Sequence, residues 1–164
     1  EYAATPLAQK FRGISMVLQA NLGTRFFYTQ SASWDTHASQ MPGHKGLWQD
    51  AARSVSDFFA DLREHDMSNN VVLIMFSEFG RRVVDNGSGT DHGAAGVAFA
   101  IGDTVKGGHY SEYPSMKKED LQEGDLAPNY DFRGFYSTLL EDFMHLGRTE
   151  IVGGSFEKLS FINK

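Results

Sequence analysis

The stretch VVLIMF, residues 71–76, is a continuous apolar run, which is typical of a strand buried on both faces of a parallel sheet. Residues 24–30, TRFFYTQ, are rich in β-branched and aromatic side chains and predict an earlier strand. Between them, an apolar stripe over residues 43–66, with charged residues on the other face, predicts a helix. Strand, helix and strand in this order form a βαβ unit, whose right-handed crossover makes the two strands parallel.

Further patterns extend this architecture on both sides. Apolar residues spaced three and four apart over residues 5–22 predict a first helix, and GVAFAIG at 96–102 predicts a third strand. A last helix is predicted over residues 132–146, and the loop-like stretch before it contains one short helix within 114–124. We therefore expect one α/β domain over residues 1–164, with a mostly parallel sheet flanked by helices.

Composition and charge exclude several classes of protein. With 41% hydrophobic residues, the chain is expected to bury a core as a soluble globular domain. A net charge of -6 and the lack of a basic run argue against a nucleic-acid partner. No apolar stretch approaches the roughly 18 residues that a membrane span needs. Because the chain has no cysteine, a metal ion would have to be held by histidine, aspartate or glutamate.

The side chains that follow the predicted strands carry the chemistry. Asp35 and His37 lie in SASWDTHASQ, Glu78 lies in SEFGRR, and Asp91 and His92 lie in the glycine-rich loop NGSGTDHGAAG. Ligands of open α/β sheets bind outside the carboxyl ends of the strands, so we expect these side chains to converge there. Carboxylates and imidazoles together are ligands for a divalent ion such as zinc or manganese. Such a site would activate water or polarise a phosphoryl or sulfuryl oxygen.

Structural roles are the alternative for each of these residues. Asp35 and Asp91 could only cap turns, with the histidines hydrogen-bonded among themselves. Arg81 could either bind an anionic group through its planar guanidinium or lie on a solvated face. The other four histidines have no partner motif and are expected to be structural: His44, His65, His109 and His145.

Four segments resemble an uncharacterised bacterial family called domain of unknown function 1501, along nearly the whole chain. The segments are LGTRFFYTQSASWDTHASQ, VVLIMFSEFGRRVVDNGSGTDHG, VKGGHY and DFRGFYSTLLEDF. The resemblance implies a relation to alkaline phosphatases, sulfatases, phosphopentomutases and cofactor-independent phosphoglycerate mutases, and hence an alkaline-phosphatase-like fold. Members of the family commonly carry a twin-arginine export signal, which implies a periplasmic or extracellular location.

The wider superfamily implies roles for single residues. Phosphopentomutases carry Asp-His-Gly at a strand end and then Gly-Thr-Asp-His before an apolar strand, which resemble SEFG and GTDHG here. On this match Asp35, His37 and His92 form one metal site, although the superfamily usually spaces the first two as Asp-x-x-x-His. Glu78 stands where a ligand of a second ion is expected, but Phe79 stands where its histidine should be. Because phenylalanine cannot coordinate an ion, one metal site is favoured over two.

The resemblance leaves two functions open. The first is a metal-dependent hydrolase of small-molecule or polymer-borne phosphate or sulfate esters, in which Glu78 and Asp91 assist the metal and Arg81 binds the anion. The superfamily nucleophile, a Ser or Thr on an early strand, has no counterpart upstream of residue 24, and the chain begins with Glu1 rather than Met. We therefore expect a C-terminal portion of a longer domain. The alternative is a catalytically silent binding or surface module of the same fold.

Overall fold

The computed structural model describes residues 1–163 and divides them into two compact units. The first unit consists of Glu1–Val71 together with Asp85–Asp91. The second consists of Val72–Val84 together with the chain from His92 onward. Each unit has its own helices and its own buried side chains, and each is described by itself below.

The first unit is built on two helices, α1 at Pro6–Gln19 and α2 at Gln40–Glu64. Pro6 is at the start of α1, where the missing N–H of proline costs no hydrogen bond. The rings of Phe11 and Phe58 stack with their centroids 5.1 Å apart and join the two helices. These two helices confirm those predicted over residues 5–22 and 43–66. The buried apolar residues of the unit lie on one face of each helix: Leu7, Ala8 and Phe11 on α1, and Ala51, Phe58, Phe59 and Leu62 on α2.

A polar contact at Asp61 also joins α1 to α2. The buried Ser15 hydroxyl donates to Asp61 Oδ2 at 2.5 Å, and the Tyr2 hydroxyl donates to the same oxygen at 2.8 Å. Burial of the carboxylate raises its pKa, but the bonds from Ser15 and Tyr2, together with the nearby charges of His65 and the N-terminus, hold the pKa of Asp61 below its usual value. Asp61 is therefore charged in the folded protein at neutral pH, with its charge satisfied by hydroxyl donors.

Acid is expected to weaken the fold through Asp61. A carboxyl whose pKa is lower in the folded than in the unfolded chain stabilises the fold above about pH 4, and this contribution is lost as the pH falls through the folded pKa. Urea unfolding of wild type and Asp61→Asn should show a less stable variant at pH 6 and a smaller difference at pH 3. Asp50→Asn, on the same helix but outside this contact, is the control. An equal difference at both pH values would show that Asp61 contributes no acid sensitivity.

The second unit contains an antiparallel strand pair. Strand β1 at Leu73–Met75 is followed by the hairpin of β2, Gly80–Asp85, and β3, Thr90–Gly93, and then by β4 at Phe99–Ile101. β1 pairs with β4 in antiparallel register, so that Ile74 faces Ala100. The tip of the hairpin, Asp85–Asp91, belongs to the first unit.

Helical turns complete the second unit. Helix α3 at Phe132–Thr138 continues as a π-helical turn, Leu139–Phe143, and a short helix α4 follows at Thr149–Val152. The helix predicted over residues 132–146 is thus present, and it changes from α-helical to π-helical pitch halfway. The short helix predicted within 114–124 is a 3₁₀ turn at Lys118–Asp120. The buried apolar cluster of this unit consists of Leu139, Phe161 and Ile162.

The predicted mostly parallel sheet flanked by helices, of alkaline-phosphatase type, is wrong for the described residues. The strands form two small two-stranded antiparallel sheets. Residues 24–30 belong to neither, and Phe26 and Tyr28 are 70% and 76% exposed. Strand propensity measures how well a side chain fits a half-buried pleated surface, and these residues lie on no such surface. The apolar run 71–76 does contain β1, but an apolar run predicts burial and does not fix the direction of the partner strand.

The sequence predicts no membrane-spanning segment, and the lengths and charges of the helices bear on this prediction. The longest, α2, has 25 residues but carries charged side chains along its length. Within residues 1–163, no helix combines the length and the apolarity that are needed to cross a bilayer.

Candidate functional site

The six predicted site residues are divided between the two units. Three of them lie in the first unit: Asp35, His37 and Asp91. The other three lie in the second unit: Glu78, Arg81 and His92. Glu78 is exposed in the turn between β1 and β2. The first unit brings its three residues into direct contact.

His37 lies between two carboxylates in the first unit. Its Nε2 atom is 2.9 Å from Asp35 Oδ1, and its Nδ1 atom is 3.0 Å from Asp91 Oδ1. All three side chains are accessible, with 47% of His37, 59% of Asp35 and 60% of Asp91 exposed. A neutral imidazole has one N–H donor, and an ionised carboxylate can only accept. With an acidic oxygen at both ring nitrogens, one of the two contacts therefore needs a further proton or a metal ion between the nitrogen and the oxygen.

Asn86, at the hairpin tip, connects His37 to Asp91. Its side-chain amide donates to the backbone carbonyl of His37 at 3.1 Å and to Asp91 Oδ1 at 3.2 Å. Its side-chain oxygen accepts from the N–H groups of Ser88 and Gly89, which closes the turn. Asn86 was not among the predicted site residues. Its signal was the Asn-Gly pair of NGSG, which marks a hairpin turn but does not say what the turn contacts.

The start of α2 is held against the same hairpin tip. The backbone N–H of Ser39 donates to Ser88 Oγ at 2.9 Å, and the Thr90 hydroxyl donates to Gln40 Oε1 at 2.9 Å. Gly89 allows this approach, because a Cβ atom there would lie 2.9 Å from the carbonyl oxygen of His37. The segment that carries Asp35 and His37 is therefore anchored at its carboxyl end, where α2 begins.

An aromatic cluster lies beside Asp35 in the first unit. The ring of Trp34 packs edge to face against Trp48 at 4.9 Å and against His44 at 5.7 Å. His44 Nε2 lies 2.8 Å from the Thr36 hydroxyl. These contacts agree with the predicted structural role of His44 and add a second anchor to the Asp35–His37 segment.

The spacing of the donor atoms in the first unit fits a divalent ion. Two ligand atoms that lie about 2.1 Å from an ion are about 3.0 Å apart in an octahedral site, such as one for manganese, and about 3.4 Å apart in a tetrahedral zinc site. Asp35 Oδ1 and His37 Nε2 are 2.9 Å apart. Asp91 then takes the place of the carboxylate that commonly accepts from the other nitrogen of a metal-bound histidine. A carboxylate oxygen and an imidazole nitrogen form a donor set that suits zinc or manganese.

In the second unit, the ring of His92 packs on the ring of Phe79. The rings of Phe79 and His92 stack with centroids 3.7 Å apart and an interplanar angle of 10°. The guanidinium of Arg81 lies over the same phenylalanine ring, 5.1 Å from its centroid. The guanidinium of Arg82, its neighbour in the chain, pairs with Asp125 at 3.0 Å. Arg81 and Arg82 thus have different surroundings.

Comparison with known proteins identifies one family. The family model described as protein of unknown function, DUF1501, matches residues 11–142. No curated protein and no solved structure matches the chain. The matched range contains α2, the part of α1 from Phe11 onward, the hairpin and all six predicted site residues. The resemblance noted from the sequence is confirmed at this level, and the chain belongs to the DUF1501 family of proteins of unknown function.

Proposed function

We propose that the chain binds one divalent metal ion, zinc or manganese, with Asp35 and His37 as ligands and Asp91 as the residue that orients His37. The observation that carries the proposal is the acidic oxygen at each ring nitrogen of His37. A protonated imidazole would satisfy the same distances, so metal binding has to be measured directly. The resemblance adds His92, the residue after Asp91, as a further ligand, and this assignment rests on the sequence.

The reaction that best suits such a site is hydrolysis of a phosphate or sulfate ester. A bound divalent ion supplies Lewis-acid polarisation of an ester oxygen and makes water a better nucleophile. Asp35 offsets part of the charge of the ion, and Asp91 fixes the tautomer of His37 through Nδ1. Arg81 is the candidate for binding the anionic group, because a planar guanidinium pairs with two oxygens of a phosphate or sulfate. The exposure of Asp35 and His37 leaves them accessible to an ester.

A turnover assay tests the hydrolase proposal. The chain, loaded with zinc or manganese, is incubated with p-nitrophenyl phosphate and p-nitrophenyl sulfate, and release of nitrophenol is followed. We expect turnover of one ester class that a chelator abolishes, that added metal restores and that His37→Ala lacks. Metal binding without turnover of either ester would contradict the hydrolase. It would support the second candidate, a catalytically silent metal-binding module, which Phe79 at the position of an expected histidine also favours.

A further inference from the structure

Asn86 uses both ends of its side-chain amide at the tip of the hairpin. Its oxygen accepts from the backbone N–H groups of Ser88 at 3.2 Å and Gly89 at 2.9 Å. Because these two N–H groups need an acceptor, the amide oxygen faces the turn, and the amide nitrogen faces Asp91 and His37. The turn therefore sets the orientation of the amide and directs its donors at the candidate metal site.

The amide nitrogen of Asn86 contacts two different parts of this site. It lies 3.2 Å from Asp91 Oδ1, the same oxygen that is 3.0 Å from His37 Nδ1. It also lies 3.1 Å from the backbone carbonyl oxygen of His37. One planar group thus holds both the carboxylate beside the imidazole and the backbone from which the imidazole extends. All three residues belong to the first unit.

The chemistry of an amide suits this combination of contacts. A carboxylate at position 86 would accept from the turn but could not donate to Asp91 or to the carbonyl oxygen. A serine hydroxyl can close such a turn, although more weakly, but it lacks the second arm that reaches Asp91. The donors of an amide are also neutral, so they hold the carboxylate without adding a positive charge that would repel a metal ion.

We propose that Asn86 is a positioning residue of the metal site, which holds Asp91 and the backbone of His37 in the arrangement that binds the ion. This inference rests on the proposed function, because it takes His37 as a ligand and Asp91 as the residue that orients it. Asn86 is exposed, so its hydrogen bonds compete with water. Its contribution to metal affinity should therefore be smaller than that of Asp91.

The zinc affinity of Asn86→Ser, measured by competition with a chromophoric chelator, is the first test. This variant keeps an acceptor for the turn and removes the amide donors. We expect zinc to bind about three- to tenfold more weakly than to wild type, the effect of losing a hydrogen bond of ordinary strength.

Ser88→Ala is the matched control for this variant. Ser88 lies at the same hairpin tip, where its hydroxyl accepts from the Ser39 N–H. The substitution should leave zinc affinity unchanged. An equal loss in Asn86→Ser and Ser88→Ala would show that only the general shape of the tip matters, and it would overturn the positioning role.

A double-mutant cycle shows whether Asn86 acts through Asp91. In an Asp91→Ala background, Asn86→Ser should cost less zinc affinity than it costs in wild type, because the carboxylate that it holds is gone. The same fold loss in both backgrounds, or no loss in wild type, would overturn the role of Asn86. A wild-type chain that binds no zinc would overturn the proposed function itself.

Nuclear magnetic resonance of the metal-free protein gives a readout that is independent of zinc. The side-chain amide signals of Asn86 should shift in Asp91→Ala, because the amide loses its acceptor. They should stay in place in Asp50→Asn, a substitution on α2 outside the cluster. Signals that stay in place in both variants would show that Asn86 does not hold Asp91, and they would overturn the inference even if the wild-type chain binds zinc.

Discussion

Replacing His37 with alanine is expected to weaken zinc binding by more than about a hundredfold, because this residue contributes the imidazole that both carboxylates contact. Loss of a partner that only orients a metal ligand costs about 10- to 100-fold in affinity, so loss of the ligand should cost more. The fold should survive, since 47% of the His37 side chain is exposed. Zinc affinity by calorimetry and urea unfolding of the same sample measure the two effects separately.

A substitution at Asp91 should weaken zinc binding less than the loss of His37. Asp91→Asn keeps the shape of the side chain but removes the charge beside His37 Nδ1, and we expect it to cost about 10- to 100-fold in affinity. Asp50→Asn removes the same charge from α2 outside the cluster and should have little effect. Affinities that are equal in wild type, His37→Ala and Asp91→Asn would show that zinc binds elsewhere.

Replacing Gly134 with alanine is expected to give the largest loss of stability, about 3 kcal/mol or more. Gly134 lies in α3, and a Cβ atom there would overlap the carbonyl oxygen of Glu157 and the hydroxyl of Tyr130. The Tyr130 hydroxyl donates to that same carbonyl, so the two atoms form one contact against the helix. A backbone oxygen cannot turn away as a flexible side chain can, and the segment around Glu157 would have to move.

Gly13 provides the matched control on α1. A Cβ atom at Gly13 would have nothing within 4 Å among the described residues, so alanine there should increase stability by about 0.5–1 kcal/mol. The two substitutions are the same chemical change in a helix, with opposite expected signs. Urea unfolding measures both. Two losses of similar size would contradict the close approach of Glu157 to α3.

The helices could be predicted from the sequence, and the sheet could not. Buried apolar residues recur every three or four positions on both helices, as Leu7 and Phe11 do on α1. This spacing identifies the buried face of a helix without any knowledge of what packs against it. The segment 24–30 has the composition of a strand, but pairing depends on a partner elsewhere in the chain, which composition does not specify. The antiparallel direction of β1 against β4 could not be predicted either, because both are short apolar runs, which can pair in parallel or antiparallel direction.

The candidate site could be predicted in its residue types but not in its contacts. The motifs around Asp35, His37 and Asp91 predicted acidic and imidazole ligands, and the three side chains do meet in the first unit. The predicted reason, strand ends at one edge of a parallel sheet, is wrong. A hairpin tip closed by Asn86 brings Asp91 to His37 instead, across 54 residues of sequence. The turn residues predict a hairpin, but they do not predict that its tip contacts His37, because that contact depends on tertiary packing.

Zinc titration of the wild-type chain tests directly whether it binds a metal ion, with binding followed by calorimetry and by the melting temperature. We expect about one zinc ion bound per chain and a melting temperature that rises with zinc concentration, because an ion that binds only the folded chain stabilises it. No heat of binding and an unchanged melting temperature would show that the chain has no such metal site. The contacts of His37 with Asp35 and Asp91 would then be hydrogen bonds and not part of a metal site.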